Sequence, residues 1–536
     1  MAVKKSTKKD KELSLEDVLW NCRVALRGIG STEKNRDAVI GLVFLRFSGD
    51  KFEKRHAQLK EEYPNLPDKV MEKPSFYNSD NVFYLDEKSR WSYIVENASS
   101  SKIAVILDEA MSSIEEKNPS LKGALPQNLY ASLGASNRDI KSLIDEVNKI
   151  SQERFNEQDL IGRVYEYFLR IYAAAGTKED GEFYTPASAV KLISELIEPY
   201  SGTVYDPCCG SGGMFVQSMK FVEQHNGNKK EISVLGQEKN PSTWRLCKMN
   251  LAVRGISSNL GEKADSTFTN DLHKDKKVDY IMANPPFNLK NWRGKDELKD
   301  DPRFQGYGEG VIPPVSNANY AWITHIISKL DVNHGVAGFL LSNGALNADG
   351  DEYEIRKSII EKDLVEAIIV LPRDMFYTTD ISVTLWIINM NKKAGNSKNG
   401  QLLKDRSQKT LFIDLRNWNS NIEVTNIDKG RKKKKVALTD NQIKKVKSIY
   451  DNWRIEGNLY EDIPELCKSA TLEDIKNSDY NLAPSQYIEF VDHDLTIDYV
   501  SKMNELQKSI GKVLSDERET ELKVERAFEN LGYIIK

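Results

Sequence analysis

Asn284-Pro285-Pro286-Phe287 is the stretch whose residue types are best suited to chemistry, and it directly follows the apolar run Tyr280-Ile281-Met282-Ala283. Both prolines fix φ, so the turn is rigid. Rigidity suits one demanding reaction: alkylation of a planar amine whose lone pair is delocalised into a ring. The Asn284 side-chain oxygen and the Pro285 carbonyl can each take one hydrogen of such an amine. The nitrogen then pyramidalises and aims its lone pair at an electrophilic carbon, which must lie in line at near-contact distance. Phe287 offers a ring face on which a base rotated out of a nucleic-acid helix can stack, a contact worth roughly 1–3 kcal/mol. Asn284, Pro285, Pro286 and Phe287 are therefore the catalytic candidates.

Upstream, Asp206-Pro207-Cys208-Cys209-Gly210-Ser211-Gly212-Gly213 lies between an expected strand and an expected helix. Glycines allow a sharp turn and let a ligand approach the backbone. The start of the helix leaves N–H groups without intrahelical partners. The stretch lacks the Lys-Ser/Thr ending of a phosphate-gripping P-loop and the GxGxxG spacing of a dinucleotide loop. Asp206 at the strand end can instead take an ammonium group or a ribose. The next strand ends at Gln237-Glu238, where an acid can accept two ribose hydroxyls. Asp265 follows a third strand expected over 260–264. It either accepts from an adenine amine or caps a turn.

These positions need elements to hold them. From about residue 188 short apolar runs alternate with helical runs. Strands are expected over 204–206, 233–237, 280–283, 336–341, 365–371, 383–389 and 410–414, and helices over 187–197, 213–225, 241–254, 320–330 and 353–361. Such alternation implies a doubly wound, mostly parallel sheet, which binds ligands at the carboxyl ends of its strands. Residues 12 to about 175 read as helical, with Ser14 and Asp17 as a capping pair and further helices over 37–62, 139–150 and 157–174. Only the run 103–107 looks strand-like there. The basic run 429–435 reads as a solvated linker or as a contact to a DNA backbone. Residues 440–455 look helical. From about 494 the chain is polar and helical, and Met503, Leu506, Ile510 and Val513 form a seam of about two heptads, intermolecular or internally packed.

Bulk properties narrow the class. Hydrophobic residues make up 40% and charged residues 29% of 536, enough apolar mass for real cores, and no stretch approaches a membrane span. The lysine-rich start has no apolar segment behind it and reads as a solvated tail. Five scattered cysteines, Cys22, Cys208, Cys209, Cys247 and Cys467, suggest neither a disulfide framework nor a zinc site, and no metal is expected. A reducing cytoplasm fits best. The net charge of −4 lacks the basic excess of a protein that grips DNA unaided. Either positive charge is focused in one cleft or a partner supplies most of the contact.

Taken together, the chain resembles the modification (M) subunits of type I restriction–modification systems, adenine-N6 DNA methyltransferases that protect host DNA. Asp159-Leu160-Ile161-Gly162 with Tyr165-Glu166 precedes Gly181-Glu182-Phe183-Tyr184-Thr185-Pro186, which resembles the family's G-E/Q-F/Y-Y/F-T-P element. Residues 206–213 resemble its D-P-x-x-G-S/T-G-G loop, Glu238 its ribose-binding acid, and 284–287 its N-P-P-F motif. Residues 479–487 resemble D-Y-N-L-S-P-S-R-Y, with Ala483 and Gln486 as departures. The resemblance implies S-adenosyl-L-methionine as cofactor. Its contacts would be Glu182, Phe183, Tyr184, Thr185, Pro186, Ala187, Asp206, Gly210, Ser211, Gly212, Gly213, Glu238 and Asp265. The segment 181–186 would close over it.

It implies further a helical N-terminal domain over 1–170 and an α/β, Rossmann-like class I methyltransferase core with a seven-stranded, mostly parallel sheet over 171–425. A C-terminal helical region over 426–536 would contact a specificity (S) subunit. Double-stranded DNA with a flipped adenine would be the substrate, with two M per S, a restriction (R) subunit for cleavage and no membrane. The loop over 288–318 is short for a target-recognition domain. The alternative is a self-sufficient methyltransferase acting on DNA, RNA or a protein glutamine, since N-P-P-Y/F also serves glutamine methylation. The helical flanks and the 181–186 element argue against it.

Overall fold

The apolar runs in the middle of the chain become strands buried on both faces, as a sheet covered by helices on either side requires. The fold is seen in a computed structural model, which describes residues 14–65, 67–150, 164, 167, 168, 171, 185–376, 379–428, 431–491 and 499–533. Besides a two-residue pair, Gly395–Asn396 with Leu402–Leu403, its strands are β1 (Gly202–Asp206), β2 (Ile232–Gly236), β3 (Ser258–Asn259), β4 (Tyr280–Ala283), β5 (Val336–Ser342), β6 (Val365–Val370), β7 (Val383–Asn389), β8 (Lys409–Asp414), β9 (Ile422–Asp428), β10 (Arg431–Val436) and β11 (Cys467–Thr471). The main sheet has nine strands in the order β11-β8-β6-β7-β5-β4-β1-β2-β3. β1 runs parallel to β2 and β4, β4 to β5, and β6 to β8. β7 is antiparallel to both β5 and β6, and the described residues of its connection from β6 form no crossover helix.

The α/β class expected from the alternation is the one found. The strand number is corrected from seven to nine. Of the two edge strands, β3 was expected at a shifted position and β11 had no periodicity to announce it. The third strand is 258–259 rather than 260–264, because Gly261 turns the chain at φ +76°.

Helices α5 (Ala187–Ile197), α6 (Gly213–Gln224) and α7 (Pro241–Val253) share one core with Val204, Val234 and Met282. Helices α8 (Asn319–Lys329) and α9 (Asp351–Glu361) share another with Tyr205, Ile281 and Phe339. Neighbouring residues Val204 and Tyr205 point to opposite cores, as the two-residue period of a strand dictates.

The longer N-terminal helices are α1 (Leu15–Ala25), α2 (Thr32–Glu62), α3 (Ile103–Lys117) and α4 (Asn137–Asn148). The capping box of Ser14 and Asp17 is present, and Ser136 with Asp139 forms a second. The strand-like run 103–107 is corrected to the start of α3: Ile103, Leu107, Ala110, Met111 and Ile114 are buried at helical spacing. Of the helix expected over 157–174, only Val164, Tyr167, Phe168 and Ile171 lie within the described residues, and they are buried in the N-terminal core. That core docks on the catalytic sheet through α7. Leu246 and Met249 complete it, and the fully buried Arg36 donates to Ser242 Oγ (2.9 Å), which donates to Asp37 (2.7 Å).

Beyond β8 the chain departs from the expectation of a linker. Residues 431–436 form β10, paired antiparallel with β9. Residues 440–455 are helical as expected, in α10 (Asp440–Arg454). The 479–487 segment straps α9. Arg356 donates to the Tyr480 carbonyl (2.8 Å), Tyr480 donates to Glu361 (2.6 Å), and the Tyr487 ring stacks on Phe412 at 4.2 Å. Helix α11 (Tyr499–Asn530) leaves its seam of Met503, Leu506, Ile510 and Val513 exposed, so among the described residues nothing covers it. No helix of the described residues is long and apolar enough to cross a membrane.

Candidate active site

β1 delivers Asp206 to the carboxyl edge of the sheet, and the chain then turns through residues 207–212 into α6. Two of the turn's glycines have left-handed backbone, Gly210 at φ +52° and Gly212 at φ +82°. Their surroundings differ. A Cβ on Gly212 would meet Cys247 Sγ at 2.9 Å and Leu251 Cδ2 at 3.4 Å, so glycine there lets α6 close on α7. A Cβ on Gly210 or Gly213 would meet nothing within 4 Å.

Asp206 is buried and accepts from the Cys208 N–H (3.0 Å). Burial pushes its carboxyl up to about 7; the Cys208 N–H and thiol work against this, and the nearby Glu238 charge adds to it. Glu238 follows β2. One of its oxygens accepts from the Gly210 N–H (3.0 Å) and the other from the Asn240 N–H (2.8 Å), so this acid braces the glycine turn. Asn250 of α7 adds a further brace, donating to the Ser211 carbonyl (2.8 Å).

β4 ends at Ala283 and leads into the Asn-Pro-Pro-Phe turn. The Asn284 amide nitrogen donates to Thr185 Oγ1 (2.8 Å). Its Oδ1 is buried and has no hydrogen-bond partner among the described residues. Phe287 stands edge-on to Phe376 at 6.4 Å and 68°. The exit of the turn is locked by Asn319 of α8, which accepts from the Asn288 N–H (2.9 Å) and donates to its side chain (2.8 Å). Ser342 at the end of β5 donates to that same oxygen (3.0 Å).

Both stretches open on one cavity of about 1170 Å³. Thr185, Ala187, Asp206, Gly210, Ser211, Gly213, Glu238, Asn284, Pro286 and Phe287 line it. Gly212 is turned to α7, and Pro186 and Pro285 are buried outside the wall. Glu182, Phe183 and Tyr184 lie outside the described residues.

Asp265 is not brought to the wall. Asn270 (2.7 Å), the Ser266 N–H (2.9 Å) and Lys263 (3.3 Å) engage its carboxylate, and the Asn270 amide foremost holds it below the usual carboxylate range. Of the two readings of this residue, the geometry is that of a turn cap. Its backbone N–H donates to the Glu238 carbonyl (2.9 Å), and Ser266, Thr267 and Phe268 line the cavity in its place.

Sequence reasoning missed Asn250, Asn319 and Ser342, which lie on elements distant in the chain and carry no motif. It also missed an aromatic wall. Phe268 packs on Trp292 (4.7 Å) and Trp322 (4.1 Å), all three lining the cavity, and the indole of Trp292 donates to the Pro314 carbonyl (2.8 Å), so the 288–318 loop is closed on itself with its first residues in the cavity wall. The density of aromatics between 287 and 322 was the available signal.

Comparison with known proteins agrees with this geometry. The N-6 DNA methylase family profile matches residues 156–494, and that of the HsdM N-terminal domain matches residues 15–147. The MjaIX type I restriction enzyme methylase subunit of Methanocaldococcus jannaschii is 35% identical, covering 97% of this chain and 91% of its own. The HindI type I restriction enzyme methylase subunit of Haemophilus influenzae is 38% identical, covering 81% and 94%. The crystal structure of a type I restriction–modification methyltransferase subunit from Streptococcus thermophilus shares the fold, with a TM-score of 0.67 at 22% identity over 89% of this chain and 99% of that one.

A glycine turn after the first strand and an Asn-Pro-Pro-Phe turn after the fourth, on this sheet, define an enzyme that methylates amino groups. The chain belongs to the N-6 DNA methylase family, among the methylase subunits of type I restriction enzymes. Its reaction is methylation of adenine N6 in DNA, and the glutamine and RNA alternatives are not favoured.

Proposed function

We propose that the cavity holds S-adenosyl-L-methionine against the 206–213 loop and a flipped adenine against 284–287. The carrying observation is the buried Asn284 Oδ1, which has no partner among the described residues. A buried acceptor left unpaired costs about 1–3 kcal/mol, and an incoming amino group relieves that cost. The cavity, about 1170 Å³, exceeds the roughly 300–1,000 Å³ of a single-ligand site, which suits a cofactor and a nucleoside together.

In this reading Glu238, braced by the Gly210 and Asn240 N–H groups, takes ribose hydroxyls, and Asp206 takes a hydroxyl or the ammonium group. Gly210, Ser211 and Gly213 let the cofactor approach the backbone. Thr185 and Ala187 border the cofactor from the cavity wall, Glu182, Phe183, Tyr184 and Pro186 of the same element are proposed cofactor contacts, and Asp265 supports the site through its turn. The cofactor supplies an electrophilic sulfonium methyl group. Asn284 Oδ1 holds a hydrogen of N6, Phe287 stacks on the base, and Pro285 and Pro286 keep the turn stiff. Thr185 fixes the Asn284 amide so that its oxygen is the one presented.

Ionised Asp206 is the form that accepts from the cofactor. With its carboxyl at about 7, cofactor affinity should climb about tenfold per pH unit below 7 and level off above it. The sign for stability is opposite. Because the folded carboxyl is raised, the stability it contributes is complete below the unfolded value near 4 and is lost as pH rises through about 7. Asp206→Asn should flatten both profiles. Calorimetric titration from pH 6 to 8 checks this, and a pH-independent wild-type affinity would refute the role.

We further propose that a specificity subunit chooses the site, with two copies of this chain per specificity subunit, a restriction subunit joining for cleavage, and the exposed α11 seam meeting the specificity subunit. The cytoplasm suits the close but unbonded thiols of Cys209 and Cys247, 3.8 Å apart. The purified chain should methylate poorly alone and gain site-specific activity with a cognate specificity subunit, read as N6-methyladenine by mass analysis of nucleosides. Equal activity alone and in complex would sink the subunit reading.

A further inference from the structure

The basic run 431–435 does not belong to the cavity, yet it is folded and anchored beside it. β9 and β10 form a ribbon separate from the main sheet. A two-stranded ribbon is marginal by itself, so its root matters. The Val436 N–H donates to the Asp374 carbonyl (2.9 Å), the Ala437 N–H to the Asn421 carbonyl (3.1 Å), and the Leu438 N–H to Ser188 Oγ (3.3 Å). Lys435 is buried against Asp380 (2.7 Å).

The root lies at the carboxyl edge of the sheet. β8 and β6 are parallel and leave that edge at Asp414 and Val370; Asp206 and Ala283 leave the same edge from β1 and β4. Phe376, two residues from Asp374, is the ring that meets Phe287, and Ser188 adjoins Ala187 of the cavity wall. The ribbon therefore rises next to the place where the target base enters.

Its register sorts its side chains. Val424 pairs with Lys434, and Lys432 stands two residues along the same strand, so these three share one face. Val436, opposite Ile422, is buried at the root of this face, while Lys432 and Lys434 are exposed and Ile422 and Val424 are 53% and 52% exposed, so the face is open beyond its root. Two lysines two residues apart on a strand stand about 6.6 Å apart, close to the advance of two phosphates at about 3.4 Å each along one DNA strand. A two-stranded ribbon also has the width that enters a major groove. On a chain with net charge −4, such a local cationic face is where a polyanion would be held.

We propose that the β9–β10 ribbon is an arm that grips the DNA backbone beside the flipped base, Lys432 and Lys434 each neutralising one phosphate. This rests on the reading that a duplex lies across the cavity. The test uses the full chain and a fluorescent duplex, with anisotropy read across a salt series. The Lys432→Ala/Lys434→Ala double variant should bind DNA more weakly at low salt, and its slope of log affinity against log salt should be shallower by about 1.8, from 0.9 per phosphate. The Lys432→Arg/Lys434→Arg variant should restore the wild-type slope. Cofactor affinity by calorimetry and the melting temperature should be unchanged, since both side chains are exposed. A double-alanine variant with wild-type affinity and slope overturns the arm, including the outcome in which the ribbon serves an acidic protein surface. A wild-type chain that binds no duplex overturns the underlying DNA reading instead.

Discussion

Asn284→Ala is expected to slow methyl transfer by about 10²–10³-fold while leaving cofactor affinity within a factor of about two, the size of effect seen when one preorganised hydrogen-bonding group is removed from a transition state. Among the described residues Asn284 Oδ1 is buried and unpaired, and the side chain is tied in place through its amide nitrogen and Thr185. Alanine removes the unpaired oxygen, worth about 1–3 kcal/mol of penalty, together with one ordinary hydrogen bond worth about 1 kcal/mol. The melting temperature should therefore stay near that of the wild type. Asn284→Asp keeps an acceptor oxygen and should lose less turnover than the alanine variant. Single-turnover kinetics with saturating cofactor separate these effects. Turnover of Asn284→Ala within tenfold of wild type would remove Asn284 from its catalytic role.

Gly212→Asp is expected to destabilise the catalytic sheet and, through that, to abolish cofactor binding. Position 212 has φ +82°, and its Cβ would press on Cys247 and Leu251 in the seam between α6 and α7. Left-handed backbone costs about 1–2 kcal/mol and overpacking about 1–3 kcal/mol, and a carboxylate without a partner adds several more. Against a typical stability of about 5–15 kcal/mol this is severe. Gly213→Ala makes the control: its Cβ meets nothing within 4 Å, so the fold should be unaffected. Thermal melting and calorimetry on both variants decide the matter. A Gly212→Asp protein that melts like wild type and merely fails to bind cofactor would show that the residue touches the ligand instead of α7.

Gly212 shows how far the sequence reaches. Spacing alone assigns all the glycines of 206–213 to a ligand-facing turn, because a motif carries no information about which Cα faces which neighbour. The packing of α6 on α7 separates Gly212 from Gly210 and Gly213. Asp265 is a similar case. Its place after the third strand admits a base contact or a turn cap, and the nearness of Asn270 and Lys263 engages it as a cap. The run 103–107 misled because five apolar residues fit a strand or the first turns of a buried helix equally well; the burial of Ala110, Met111 and Ile114 on the same face makes it a helix.

The basic ribbon was hidden for another reason. Charge argues for exposure, and nothing local says that Ile422–Asp428 will pair with Arg431–Val436 or that Lys435 will turn inward to Asp380.

The sequence by itself determined the chemistry and the class. A rigid amide-bearing turn and a glycine turn are local patterns, and strand–helix alternation is enough to place both at strand ends. Tertiary structure alone decided the rest: a nine-stranded mixed sheet, Asn250, Asn319 and Ser342 as braces, and an aromatic wall from the 288–318 loop. It also decided that Asn284 presents a buried oxygen with no partner among the described residues. These depend on contacts between residues far apart in the chain, whose energies come from packing and from buried hydrogen bonds, and such contacts leave no periodicity to read.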